Sequence, residues 1–127
     1  MLLDTSALMA LCLEERGGDE VQDAVEAGTA WVAAVSWLEL WINLDPLPHG
    51  REAIALYEAA VAGTIDISME VARAALDIRR ATQNRVPTVD SLIAGAARVH
   101  GMELMHRDAH FAAIPPRLLK QRMLPAK

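Results

Sequence analysis

A chain of 127 residues suits one compact domain and leaves no room for a second core. Hydrophobic residues make up 53% of it, which excludes a disordered chain, and a net charge of −5 argues against a protein that coats nucleic acid. The charge is divided: residues 1–72 carry 13 acids and two basic groups, residues 73–127 four acids and ten basic groups. Such a division permits a local phosphate-facing surface and is equally met by ordinary solvation. Cys12, in the apolar run Leu11-Cys12-Leu13, has no second cysteine to pair with and reads as a buried, reduced thiol, so the expected location is the cytoplasm. The opening MLLDTSALMALCLEE has no basic leader, and no stretch approaches the ~18 apolar residues of a membrane span, so neither secretion nor a membrane partner is expected.

Met1–Asp4 predicts a short buried strand running directly into a helix from Thr5 to Glu15. Gly17-Gly18 interrupts, and a short helix over Asp19–Ala27 follows. Ala30–Ala34 predicts a strand, and Ser36–Leu44 a helix whose opening Ser36-Trp37-Leu38-Glu39 has the form of a capping box. The stretch Asn43–Gly50, with two prolines, is the clearest connector. A helix over Arg51–Ala62 and a strand over Thr64–Ile67 come next, and Ser68 caps a long helix to Thr82. Pro87-Thr88 starts a helix over Val89–His100 that Gly101 ends. Glu103–His106 predicts a strand and Asp108–Ala112 a short helical turn. Strands alternating with helices predict an α/β fold with a mainly parallel sheet.

Four acids occupy equivalent places in this succession. Asp4 closes the first strand, Glu39 lies in the first turn of a helix after a strand, Asp90 opens a helix, and Asp108 follows a strand. Strand ends and helix starts share one edge of an open α/β sheet, where such folds place their sites. Carboxylates gathered there repel unless a hard divalent cation, Mg²⁺ or Mn²⁺, takes them as ligands. The chemistry that follows is phosphodiester hydrolysis. Each acid also has a plainer reading: Glu39 completes a capping box, Asp90 complements a helix start, and Asp108 serves as a turn or cap residue. Asp4 is hardest to explain as structure, because a charge closing Met1-Leu2-Leu3 gains little there.

The segments Leu2-Leu3-Asp4-Thr5-Ser6-Ala7-Leu8, Glu39-Leu40, Val89-Asp90-Ser91-Leu92-Ile93-Ala94 and Arg107-Asp108-Ala109-His110-Phe111 resemble the PIN-domain ribonucleases, most closely the VapC-type toxins of bacterial toxin–antitoxin pairs. The resemblance spans nearly the whole chain. It implies a three-layer fold with a central, mainly parallel sheet flanked by helices, in one nuclease domain over residues 1–127. It also implies an RNA substrate, a metal-binding set of Asp4, Glu39, Asp90 and Asp108, a homodimer and inhibition by a small antitoxin. One position departs from the family pattern: His106 stands where Ser or Thr usually precedes the last acid by two residues.

Other residues carry open alternatives. Ser6 either orients Asp4 and its surroundings or merely starts a helix. Arg107 either contacts RNA phosphate or pairs with a site carboxylate. His106 and His110 flank Asp108 in a pattern that also suits a transition metal. Gly95, among alanines, is expected to let its helix approach the sheet closely. Trp37 and Trp41, four apart and opposite Glu39, are expected to meet core or a partner. A non-catalytic PIN-like binding module is the competing function. An Asp-based phosphatase would need a second Asp where Ser6 stands.

Overall fold

The computed structural model covers residues 1–127. Its centre is strand β1 (Leu2–Leu3), whose two side chains are fully buried. Asp4 follows at once and caps helix α1 (Thr5–Cys12), its side chain accepting from the Ser6 N–H. This helix stops short of Glu15 because Glu14 adopts φ 53°, and the chain then reverses at Gly17, φ 89°. A Cβ on Gly17 would stand 3.1 Å from Pro125, so the C-terminal segment packs directly on that turn. Helix α2 (Gly18–Glu26), strand β2 (Trp31–Ala33), helices α3 (Ala34–Leu44) and α4 (Gly50–Ala60) and strand β3 (Gly63–Ile65) follow. Helices α5 (Met69–Ala81) and α6 (Thr88–Val99) then lead to strand β4 (Leu104–His106), a 3₁₀ turn (Ala109–Ala113) and strand β5 (Gln121–Met123).

The five strands form one sheet in the order β3-β2-β1-β4-β5, every pair parallel. Leu2 pairs with Trp31 and Leu104, and Leu3 with Val32 and Met105. Alternation along the strands divides the interior. Leu2, Ala33 and Leu104 join one apolar cluster with Val71, Ile78 and Ile93, whereas Leu3, Val32 and Met105 join another with Leu8, Val21 and Leu40. The result is a three-layer α/β sandwich, with α5 and α6 covering one face and α1 to α4 the other. The chain steps outward from β1 through β2 to β3, then returns to place β4 on the opposite side of β1. The order therefore reverses between β1 and β4, which puts the expected site crevice outside their carboxyl ends.

Two expectations about particular residues are corrected. Ser36 and Glu39 form no capping box, because β2 passes into α3 without a loop and the helix begins at Ala34. Ser36 is thereby buried with its hydroxyl unpartnered, and Glu39 falls in the second turn, accepting from Thr5 Oγ1 at 2.6 Å. Gly95 faces α5 rather than the sheet: a Cβ there would lie 2.8 Å from the Val71 carbonyl oxygen. Trp37 meets the core, as expected of one of the two rings. Trp37 is 7% exposed and donates from Nε1 to Thr64 Oγ1 at 3.0 Å, while Trp41 is 47% exposed. The Ser68 cap is present, its hydroxyl accepting from the Val71 N–H at 3.1 Å.

Candidate metal centre

Asp4 leaves β1 and is only 3% exposed. Its Oδ2 accepts from the Ser6 backbone N–H at 3.0 Å and from the Ser6 hydroxyl at 2.5 Å, while no donor reaches Oδ1. The Ser6 hydroxyl in turn accepts from the Arg107 backbone N–H at 2.9 Å, so one hydroxyl ties the end of β1 to the end of β4. Asp90 is the third residue of α6, where the helix N-terminus favours negative charge. Asp108 caps the 3₁₀ turn, its Oδ1 accepting from the His110 N–H at 2.9 Å.

His106 holds the turn that follows β4. Its Nδ1 accepts from the Asp108 backbone N–H at 3.1 Å, as a Ser or Thr oxygen does in a side-chain-stabilised turn. The other ring nitrogen, Nε2, lies 2.8 Å from Gln121 Oε1, a pattern that puts the proton on Nε2 and leaves the ring neutral. Gln121 Nε2 also donates to the Phe111 carbonyl at 3.0 Å, holding the 3₁₀ turn against β5. With both nitrogens engaged and the ring fully buried against Phe111, His106 has nothing to offer a metal. His110 differs: its Nδ1 is 3.1 Å from Asp90 Oδ2 and 3.0 Å from Asp108 Oδ1.

The carboxylates sense one another. Burial pushes the Asp4 carboxyl above its usual value against the opposing Ser6 hydrogen bonds, and the charges of Glu39 and Asp108 push it further. Asp90 is pushed up to about 6, first by burial and then by Asp4 and Asp108, with His110 opposing. Asp4, Asp90 and Asp108 thus share one electrostatic neighbourhood, and Glu39 adjoins it through Asp4 alone. No Lys or Arg pairs with any of them. The Arg107 guanidinium turns to Glu15 Oε1 at 3.0 Å and the Arg16 carbonyl at 3.3 Å, so it reaches neither a site carboxylate nor open solvent. Its backbone N–H, bound by Ser6, is what it contributes here. Gln121 had no signal in the sequence, since it lies on a short polar edge strand that periodicity does not reveal.

An excess of carboxylate with no Lys or Arg paired to it suits a divalent cation. Asp90, Asp108 and His110 offer ligand atoms all within 4.8 Å of one another, and the free Oδ1 of Asp4 is a further hard oxygen donor.

The shift at Asp90 sets a pH-dependent expectation for the metal-free protein. Its folded-state pKa of about 6 lies above the usual carboxylate value, so the folded chain holds this proton more tightly than the unfolded one. The associated stability is complete below about pH 4 and is lost as pH rises through the folded value. In EDTA, Asp90→Asn is expected to melt at a higher temperature than wild type at pH 8 and level with it at pH 4. A mutant that melts lower at both pH values would make Asp90 an ordinary helix-start charge, worth about 0.3–1 kcal/mol.

A model of the PIN domain family matches residues 1–115. Among solved structures, the chain is similar to one in the crystal structure of VapBC2 from Rickettsia felis bound to a promoter DNA fragment, with TM-score 0.79, 15% identity and 98% of each chain covered. A chain of a toxin–antitoxin complex from Klebsiella pneumoniae aligns with TM-score 0.71 and 25% identity over 90% of this chain and 92% of that one. A chain of the DNA-bound VapBC structure from Salmonella typhimurium aligns with TM-score 0.74 and 17% identity over 96% of both. Comparison of the sequence with curated proteins gives no match. At these identities the structural likeness speaks for the fold, and the family match speaks for descent. The all-parallel sheet, the acidic edge and the match over residues 1–115 agree, and the chain belongs to the PIN domain family.

Proposed function

We propose that this chain is a Mg²⁺- or Mn²⁺-dependent endoribonuclease and the toxin of a bacterial toxin–antitoxin pair, acting in the cytoplasm as a single nuclease domain. The observation that carries the reading is the gathering of Asp4, Asp90 and Asp108, with Glu39 beside Asp4, at the carboxyl edge of a PIN-family sheet with no Lys or Arg paired to them. In this reading Asp4, Asp90 and Asp108 hold the cation, with Glu39 beside them. A bound divalent cation supplies Lewis-acid activation of water and stabilises charge on the phosphate and the leaving oxygen. The protein's part is placement. Ser6 fixes the Asp4 carboxylate, His106 fixes the Asp108 backbone, and the start of α6 carries Asp90 to the same edge.

Asp4→Ala, and separately EDTA on the wild type, are expected to abolish cleavage of RNA while leaving the circular dichroism spectrum unchanged. Replacing Asp4 relieves a buried carboxylate but removes the α1 cap, a cost of about 0.5–2 kcal/mol that a folded domain absorbs. Undiminished cleavage in EDTA would overturn the metal-dependent mechanism, and absence of any cleavage by wild type with Mn²⁺ would favour a non-catalytic binding module.

The partners in this reading are RNA, a small antitoxin that inhibits cleavage, and a second copy of the chain. One surface supports association: Leu38, Trp41 and Ile42 lie at helical spacing on α3 and are all exposed. We assign this strip to the contact between two copies. Sedimentation is expected to give a dimer for wild type and a monomer for Trp41→Glu; a dimer that survives the substitution contradicts the assignment.

A further inference from the structure

His110 stands between two carboxylates that belong to different elements. Asp90 comes from the start of α6 and Asp108 from the end of β4, yet the same imidazole nitrogen lies 3.1 Å from one and 3.0 Å from the other. A ring nitrogen carries at most one proton, so it cannot fully satisfy both oxygens. A cation at that point would engage all three atoms. Two neighbouring ligands on an octahedral ion with bonds of about 2.1 Å are about 3.0 Å apart, so Nδ1 already stands at ligand spacing from both oxygens.

The ring is not on an unsupported loop. The His110 backbone N–H is held by Asp108 Oδ1, the Asp108 N–H by His106, and the adjoining Phe111 carbonyl by Gln121. Its side chain is half-exposed, which leaves a path for an ion from solvent. Next to this group lies the almost wholly buried Asp4 carboxylate, with Oδ1 lacking any hydrogen-bond donor. With Oδ2 committed to Ser6, Oδ1 is the Asp4 oxygen left to take a ligand beside the carboxylate–imidazole–carboxylate set.

Building on the metal-dependent reading above, we propose that His110 Nδ1 is a protein ligand alongside Asp90 and Asp108, and that it makes the site select a first-row transition cation such as Mn²⁺ over Mg²⁺. The chemical reason is donor softness. Mg²⁺ prefers oxygen ligands and retains its waters, whereas an imidazole nitrogen favours ions further along the transition series. His106 cannot supply that nitrogen, because both of its ring nitrogens are already bonded. Loss of His110 would leave an all-oxygen set that still suits Mg²⁺.

Titration calorimetry with MnCl₂ and with MgCl₂, on wild type and His110→Ala, combined with pulsed electron paramagnetic resonance of the Mn²⁺ form, tests the assignment. Wild type is expected to show ¹⁴N coupling to Mn²⁺ and to bind Mn²⁺ more tightly than Mg²⁺. His110→Ala is expected to lose the ¹⁴N coupling and at least about tenfold in Mn²⁺ affinity, with Mg²⁺ affinity changed less than about twofold. Mn²⁺ binding without nitrogen coupling, or equal losses for both ions, would overturn the role of His110 while leaving the metal-dependent reading intact. A wild-type protein that binds neither ion would overturn that reading and this inference together.

Discussion

Asp4 places a carboxylate at the end of the central strand, where almost no water reaches it, and much of the surrounding structure follows from that placement. An isolated buried charge costs several kcal/mol, so it must be hydrogen-bonded, neutralised or bound. Ser6 meets part of the requirement with two bonds to one oxygen. The remainder of the neighbourhood makes it worse, since Glu39 and Asp108 add negative charge rather than offset it. A scaffold that only needed stability would put a basic side chain at this edge. Arg107 is adjacent in the chain to Asp108, yet its guanidinium is turned away to Glu15. The site is thus left with unmatched negative charge, the condition a divalent cation relieves.

Parallel pairing is what brings Asp4, Asp90 and Asp108, distant in sequence, to one edge. With β1 and β4 side by side and running the same way, Asp4 and Asp108 emerge at the same edge, and the Ser6–Arg107 hydrogen bond fixes their relative height. The helix that precedes β4 must then run antiparallel to it, which brings its N-terminus and Asp90 to that edge as well. Support comes from the far side through β5, whose Gln121 holds His106 and the 3₁₀ turn together. In this chain an imidazole holds the Asp108 backbone, as a Ser or Thr oxygen can in a side-chain-stabilised turn, and Gln121 engages its other nitrogen.

The elements that sequence reveals here are those whose own residues determine them. Ser68 caps α5 because its hydroxyl reaches a local N–H, and Asp4 closes a strand of two fully buried leucines. Failures occur where a distant part of the chain decides the outcome. Ser36 and Glu39 have the form of a local cap, but direct passage from β2 into α3 moves the helix start back to Ala34 and gives Glu39 to Thr5. Which of Trp37 and Trp41 meets the core is likewise not decided by their spacing, and the contact of Trp37 with Thr64 on β3 settles it. Strand β5 is invisible to periodicity because it is a short edge strand, recognisable only by its pairing with β4. The convergence of the acids could be argued from strand ends and helix starts; the positions of His110 and Gln121 depend on tertiary contacts.

The central claim is that the acidic edge between β1 and β4 is a cation site. Crystals grown with MnCl₂ and measured at the manganese absorption edge test it most directly. The account predicts an anomalous peak bonded to oxygens of Asp4, Asp90 and Asp108, at about 2.1 Å for a small octahedral cation. Well-ordered crystals with no peak at that edge in millimolar Mn²⁺, or a peak only elsewhere on the surface, would contradict it.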